Sequence, residues 1–164
     1  MKNKLVEIYE GVQRIPYKVC KFDKSEINED MIHGDCRHKH YLLKQLLEKE
    51  GYEVKEVKVI FDWKDLPIPL EILSILKNSG TKWDHDSLKV LVDGKWIKVD
   101  CTWNPELKQK GFSITENWDG KSDTKQITNG KLEFYDLDNY QKTIKLDKSE
   151  ALKFAEKLNE WLSK

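Results

Sequence analysis

The dipeptide Asp93-Gly94, set between two apolar-rich runs, constrains this chain more than any other feature. A two-residue type I′ turn needs positive φ at both central positions, which Asp and Gly tolerate, and it folds its flanks into an antiparallel hairpin. The segment from Trp83 to Asp100 is therefore a hairpin whose register follows from the turn. With Asp93 and Gly94 as the loop, Val92 pairs with Lys95, His85 faces Thr102, and Ser87 faces Asp100. Side chains alternate along a strand, so His85 and Asp100 share a face as diagonal neighbours, about 7 Å apart between backbones. Cys101 goes to the opposite face with Ile97, Val99 and Trp103, as a buried structural thiol.

Apolar spacing predicts the remaining elements. Leu5, Ile8, Tyr9 and Val12 make one buried stripe on a helix over Lys4–Gln13, and Tyr17–Phe22 reads as a short extended segment. After a polar stretch, a second helix runs from Cys36 to about Glu50, with Tyr41, Leu43, Leu46 and Leu47 inward and Gly51 as its stop. Val54–Phe61 alternates as a strand, Pro69 opens a short helix reaching Gly80, and Gly111–Ile114 is a further strand. Asp147 and Glu150 have the spacing of a capping box, and the terminal helix is expected to bury Leu152, Ala155, Leu158, Trp161 and Leu162. The fold class is α+β: a single domain of 164 residues in which the Cys36 helix packs on an antiparallel sheet, with a C-terminal helix.

Lysine plus arginine and aspartate plus glutamate balance at 29 each, and Arg14 and Arg37 are the only arginines. No global field points to a nucleic-acid partner, and bidentate phosphate recognition has few candidates. No stretch is apolar enough to cross a bilayer, and Met1-Lys2-Asn3-Lys4 leads directly into an amphipathic helix, so the expectation is a cytoplasmic protein. Cys20, Cys36 and Cys101 form no close-spaced pair and are read as free thiols.

Three residues then stand out in chain order: Cys36 at a helix start, His85 in one strand of the hairpin, and Asp100 at the end of the other. A cysteine acts as a nucleophile only as a thiolate, and unpaired N–H groups at a helix N-terminus favour that form. Gly34, two residues earlier, permits a tight turn and close approach of a substrate. Asp35 opposes the thiolate unless it caps the helix. Asp100 then holds the His85 ring in one tautomer while its other nitrogen faces the thiol.

Gly34-Asp35-Cys36 opening a helix, Asp84-His85-Asp86 on a strand, and the run from Asp93-Gly94-Lys95-Trp96 to Asp100-Cys101-Thr102-Trp103 together resemble the transglutaminase-like superfamily. The resemblance covers roughly residues 15–105 and leaves residues 106–164 as a C-terminal extension. It implies a papain-like core and a triad with Cys36 as nucleophile, His85 as general base and acid, and Asp100 as orienting acid. It further implies thioester chemistry at an amide or peptide bond, by hydrolysis or acyl transfer. Trp83 and Trp103 are expected in the walls of a groove holding a peptide or protein-like substrate. No cofactor or metal is implied, and a monomer is the default. The Cys36 backbone N–H is the first oxyanion donor, with Gln13 or Tyr17 as the second.

Three other readings compete. His33, Cys36, His38 and His40 crowd within eight residues, and Cys/His clusters bind zinc, although only Cys36 and His40 share a helix face. His40 also rivals His85 as partner of the thiol, since helical side chains lean toward the N-terminus. The third reading is a transglutaminase-like binding domain without activity.

Overall fold

A computed structural model describes residues 3–164. The hairpin forms as the turn chemistry requires: β2 (Lys82–Val92) and β3 (Lys95–Val99) flank Asp93 at φ 49° and Gly94 at φ 77°. Their register runs from Val92 opposite Lys95 to Leu88 opposite Val99, where β3 ends. β1 (Val54–Asp62) lies antiparallel to β2, with Val59 opposite His85. β4 (Glu133–Asp136) pairs with the other edge of β1, giving an antiparallel sheet in the order β3-β2-β1-β4.

Four α-helices accompany the sheet among the described residues. α1 spans Lys4–Gln13, and α2 spans Cys36–Lys49 with Gly51 at φ 93° just beyond it. α3 (Leu70–Leu73) continues as a 3₁₀ turn over Ser74–Leu76, and Pro69 precedes it at the cap rather than serving as its first residue. α4 spans Lys148–Leu162, and the Asp147 carboxylate accepts from the Glu150 N–H at 3.0 Å. Glu150 does not complete a capping box; its carboxylate accepts instead from the N–H groups of Asn78 and Ser79, tying α4 to the end of the α3 region.

Two hydrophobic clusters divide the core. α1 and α2 cover one, where Leu5, Tyr9, Leu43 and Leu47 meet Leu88, Val90, Ile97 and Val99 of the hairpin. Cys101 is buried there, as its parity requires. The other gathers Phe61, Trp63, Trp103 and Phe112 under α3 and the α4 residues Phe154 and Leu158. Each fully buried leucine or phenylalanine stabilises by about 1.5–3 kcal/mol relative to exposure.

Three expectations are corrected. Leu152 is 74% exposed, because Phe154, Leu158, Trp161 and Leu162 form the helical stripe and Leu152 sits about 200° round the axis from Phe154. Gly111–Ile114 is not a strand: Gly111 ends a 3₁₀ turn over Pro105–Lys110 at φ 92°, and Phe112 and Ile114 bury their side chains with no ladder partner. Tyr17–Phe22 makes only one bridge, Tyr17 alongside Gly34 in parallel. That bridge is closed by Gly34 N–H to Pro16 O and Lys18 N–H to Gly34 O, both 3.0 Å, and it anchors the turn into α2. No helix among the described residues is long and apolar enough to cross a membrane.

Candidate active site

Cys36 is the first residue of α2, and the turn before it is tightly held. Asp35 caps the helix, its Oδ1 accepting from the Arg37 N–H at 3.0 Å, while the His38 ring returns to the Asp35 N–H at 3.2 Å. His38 thus takes the place of the usual Glu or Gln in a capping box. Arg37 adds two charge-assisted bonds to Asp35, at 3.1 and 2.7 Å. Burial resists ionisation of Asp35, but Arg37 and then His38 outweigh it and hold the carboxyl below its usual range. The Asp35 charge beside Cys36 is therefore paired with Arg37. Gly34 is buried, and a Cβ there would meet His38 Cβ at 2.9 Å, so the close approach it permits is to α2's first turn.

His85 and Asp100 lie at the seam between the two clusters, with His85 2% and Asp100 5% exposed. The His85 ring packs edge-to-face on Phe61 from one side and His40 from the other. Its Nε2 meets Asp100 Oδ2 at 2.7 Å and lies 3.3 Å from the Thr102 hydroxyl, and Cys36 is near enough to act on its charge. Burial opposes the imidazolium, but the Asp100 carboxylate and then Cys36 lift His85 to about 10. Burial likewise resists ionisation of Asp100, yet His85, His40 and Thr102 hold it far below the ordinary carboxylate range. Cys36 itself is half-buried.

A set of polar groups that sequence reasoning missed fixes Asp100. Thr102 donates to Oδ1 from its N–H at 2.9 Å and its hydroxyl at 2.6 Å. The Tyr9 hydroxyl donates to the Asp100 carbonyl at 2.6 Å, and the Asp100 N–H donates to Thr124 Oγ1 at 2.8 Å. Only Thr102 carried a local signal, since a threonine two residues after an aspartate favours this turn. Tyr9 and Thr124 come from 91 and 24 residues away.

His40 is not the partner of the thiol. Its Nδ1 meets the Cys36 carbonyl at 2.9 Å and its Nε2 accepts from the Cys101 N–H at 3.0 Å, so both nitrogens are committed to backbone. Burial depresses it to about 4 and keeps it neutral. The expected zinc set does not converge either. His38 turns to Asp35 and Lys21, His40 to Cys101, and the metal-type grouping among the described residues is Cys20, Asp35 and His38. The Asp35 oxygens in that group are already taken by Arg37 and the Cys20 N–H, and His38 Nε2 lies 2.9 Å from the Lys21 carbonyl.

Of the expected groove residues, Trp103 is 4% exposed, donates to the Ile127 carbonyl and stacks against Tyr17 and Phe112. Trp83 is half-buried against Trp63 and Phe154. Gln13 donates to the Thr115 carbonyl and is not free for an oxyanion. Tyr17 stays protonated, pushed well up by burial and then by the Cys36 and Asp35 charges near it. A cavity of about 350 Å³ near the start of α2 is lined by residues that include Phe22, Arg37, His40, Tyr41, Lys58 and Asp86, and its lining contains neither Cys36 nor His85. Compared with protein-family models, curated proteins and solved structures, the chain has no significant match.

Proposed function

We propose that this protein is a cysteine-dependent acyl-transfer enzyme of the transglutaminase-like, papain-like kind. The observation that carries the reading is the buried 2.7 Å contact of His85 Nε2 with Asp100 Oδ2, with Cys36 at the start of α2 among the groups that lift the imidazole to about 10. A cysteine at a helix N-terminus, a histidine on it and an acid behind the histidine are the parts of an activated nucleophile.

In this mechanism the Cys36 thiolate attacks an amide or ester carbonyl. The tetrahedral oxyanion is received by the Cys36 backbone N–H, one of the unpaired donors of a helix start, and by the Tyr17 hydroxyl. His85 passes its Nδ1 proton to the leaving amine or alcohol, which departs and leaves a thioester on Cys36. Water or an amine, deprotonated by His85, then attacks the thioester, releasing a carboxylic acid or a new amide and restoring the thiolate–imidazolium pair. Asp100 keeps its charge throughout and orients the ring.

The test is competitive labelling with iodoacetamide near neutral pH, followed by peptide mass mapping. Cys36 is expected to react far faster than Cys20 and Cys101, and p-nitrophenyl acetate should leave an acetyl group on Cys36 that a Cys36→Ala variant lacks. Equal, slow alkylation of all three thiols would overturn the reading.

A further inference from the structure

Lys39 is 0% exposed, three residues beyond Cys36 on α2, and none of its near partners is a carboxylate. Its ammonium donates to three carbonyls: Gln13 at 3.0 Å, Ile15 at 2.7 Å and Thr102 at 2.9 Å. Two of these lie at the C-terminus of α1, where the last carbonyls have no helical partner. The third belongs to the residue that holds Asp100 Oδ1 from both its N–H and its hydroxyl. The next residue, His40, accepts from Cys101 N–H. Two successive residues of the nucleophile helix thus grip the Asp100-Cys101-Thr102 segment, one by a carbonyl and one by an N–H.

We propose that Lys39 is a positioning residue of the Cys36–His85–Asp100 site, its charged form locking the orienting acid to the nucleophile helix. The donor count supports this. An ammonium has three N–H bonds for three buried carbonyls, whereas a neutral amine has two, so one carbonyl must go unpaired when the proton leaves. The groups facing Lys39 are Asp100 and Cys101 from the segment after β3 and Glu106 from the 3₁₀ turn beyond it. Burial lowers Lys39 to about 8 while these three acidic groups only partly restore it. Release of the Thr102 carbonyl loosens the residue that orients Asp100, and His85 responds.

The placement of Lys39 rests on the acyl-transfer reading only for what the site does; its grip on Asp100 is measured without turnover. The experiment follows the ¹⁵N shifts of the His85 ring from about pH 6 to 11 in the wild type and in Lys39→Met, with ¹³Cε-lysine shifts reporting Lys39. In the wild type, the His85 signal should show a minor inflection near 8, coincident with Lys39, ahead of its own titration near 10. In Lys39→Met, if it folds, the inflection near 8 disappears and Cys36 alkylation at neutral pH slows by about 10²-fold, the size of effect that a small misplacement of a reacting group produces. A wild type with no inflection at the Lys39 midpoint overturns the proposal, whether or not the variant folds. So does a folded variant that keeps the inflection or the wild-type alkylation rate. Slow alkylation of wild-type Cys36 with the inflection intact would sink the acyl-transfer reading and leave the lock standing.

Discussion

Replacing Asp100 with Asn isolates the charge of the orienting acid with the least change of shape. The Asp100 carboxylate receives three donors: Thr102 N–H and hydroxyl on Oδ1, and the His85 ring on Oδ2. An asparagine must keep its oxygen on the two Thr102 donors, so its NH₂ replaces Oδ2 and faces His85 Nε2. Nε2 must then accept, which puts the ring proton on Nδ1, in the tautomer that cannot take a thiol proton. Loss of the charged hydrogen bond costs about 1.5–3 kcal/mol of stability, and the wrong tautomer costs on the order of 10⁴-fold in turnover. Without the carboxylate, only Cys36 is left to oppose burial at His85, and the imidazolium should be lost at a lower pH than in the wild type. Alkylation of Cys36 should slow as well, because the charged imidazolium that favours its thiolate is weakened. A second readout is urea unfolding against pH. The folded His85 titrates above its ordinary 6.5, so its stabilisation is complete below 6.5 and declines as pH rises toward about 10. The clean window is 6.5 to about 7, below the range in which Lys39, with a value of about 8, titrates. Wild-type stability should fall across that window and Asp100→Asn should be flat. An Asp100→Asn variant with the wild-type alkylation rate and the same pH slope would refute the argument.

Three further outcomes are expected. His40 is held neutral with a folded value of about 4 against an ordinary 6.5, so the unfolded chain binds the extra proton and wild-type stability should drop by about 3 kcal/mol between pH 6.5 and 4; urea titrations of His40→Gln should lack much of that slope. Gly34→Ala places a methyl 2.9 Å from His38 Cβ in a buried turn, and overpacking of this kind should lower stability in urea denaturation by about 1–3 kcal/mol while slowing Cys36 alkylation; an unperturbed midpoint would refute the close approach. Phe154→Ala removes the ring that meets Trp63 and Trp83 and should cost about 3–5 kcal/mol in urea unfolding with little change in m-value, whereas Leu152→Ala, on the exposed side of the same helix, should be nearly neutral.

What the sequence determined is what local chemistry controls. The Asp93-Gly94 turn set the hairpin and its register as far as Leu88 opposite Val99, where the ladder ends; beyond it Cys101 is buried and His85 meets Asp100. Apolar periodicity located α1, α2 and β1 to within a residue or two, because each buries a long, regular face. Periodicity failed where burial comes without regular structure, as at Phe112 and Ile114, and where pairing is short and half-exposed, as in β4. The site divided along the same line. Cys36, His85 and Asp100 stand out as candidates because each belongs to a local motif; the groups packed around them do not, because Lys39, His40, Tyr9 and Thr124 act across 24 to 91 residues of chain. Only the tertiary structure could decide between His85 and His40. Both are buried beside Asp100, and the difference is that both nitrogens of His40 are held by backbone, at the Cys36 carbonyl and the Cys101 N–H, while His85 Nε2 meets Asp100 Oδ2.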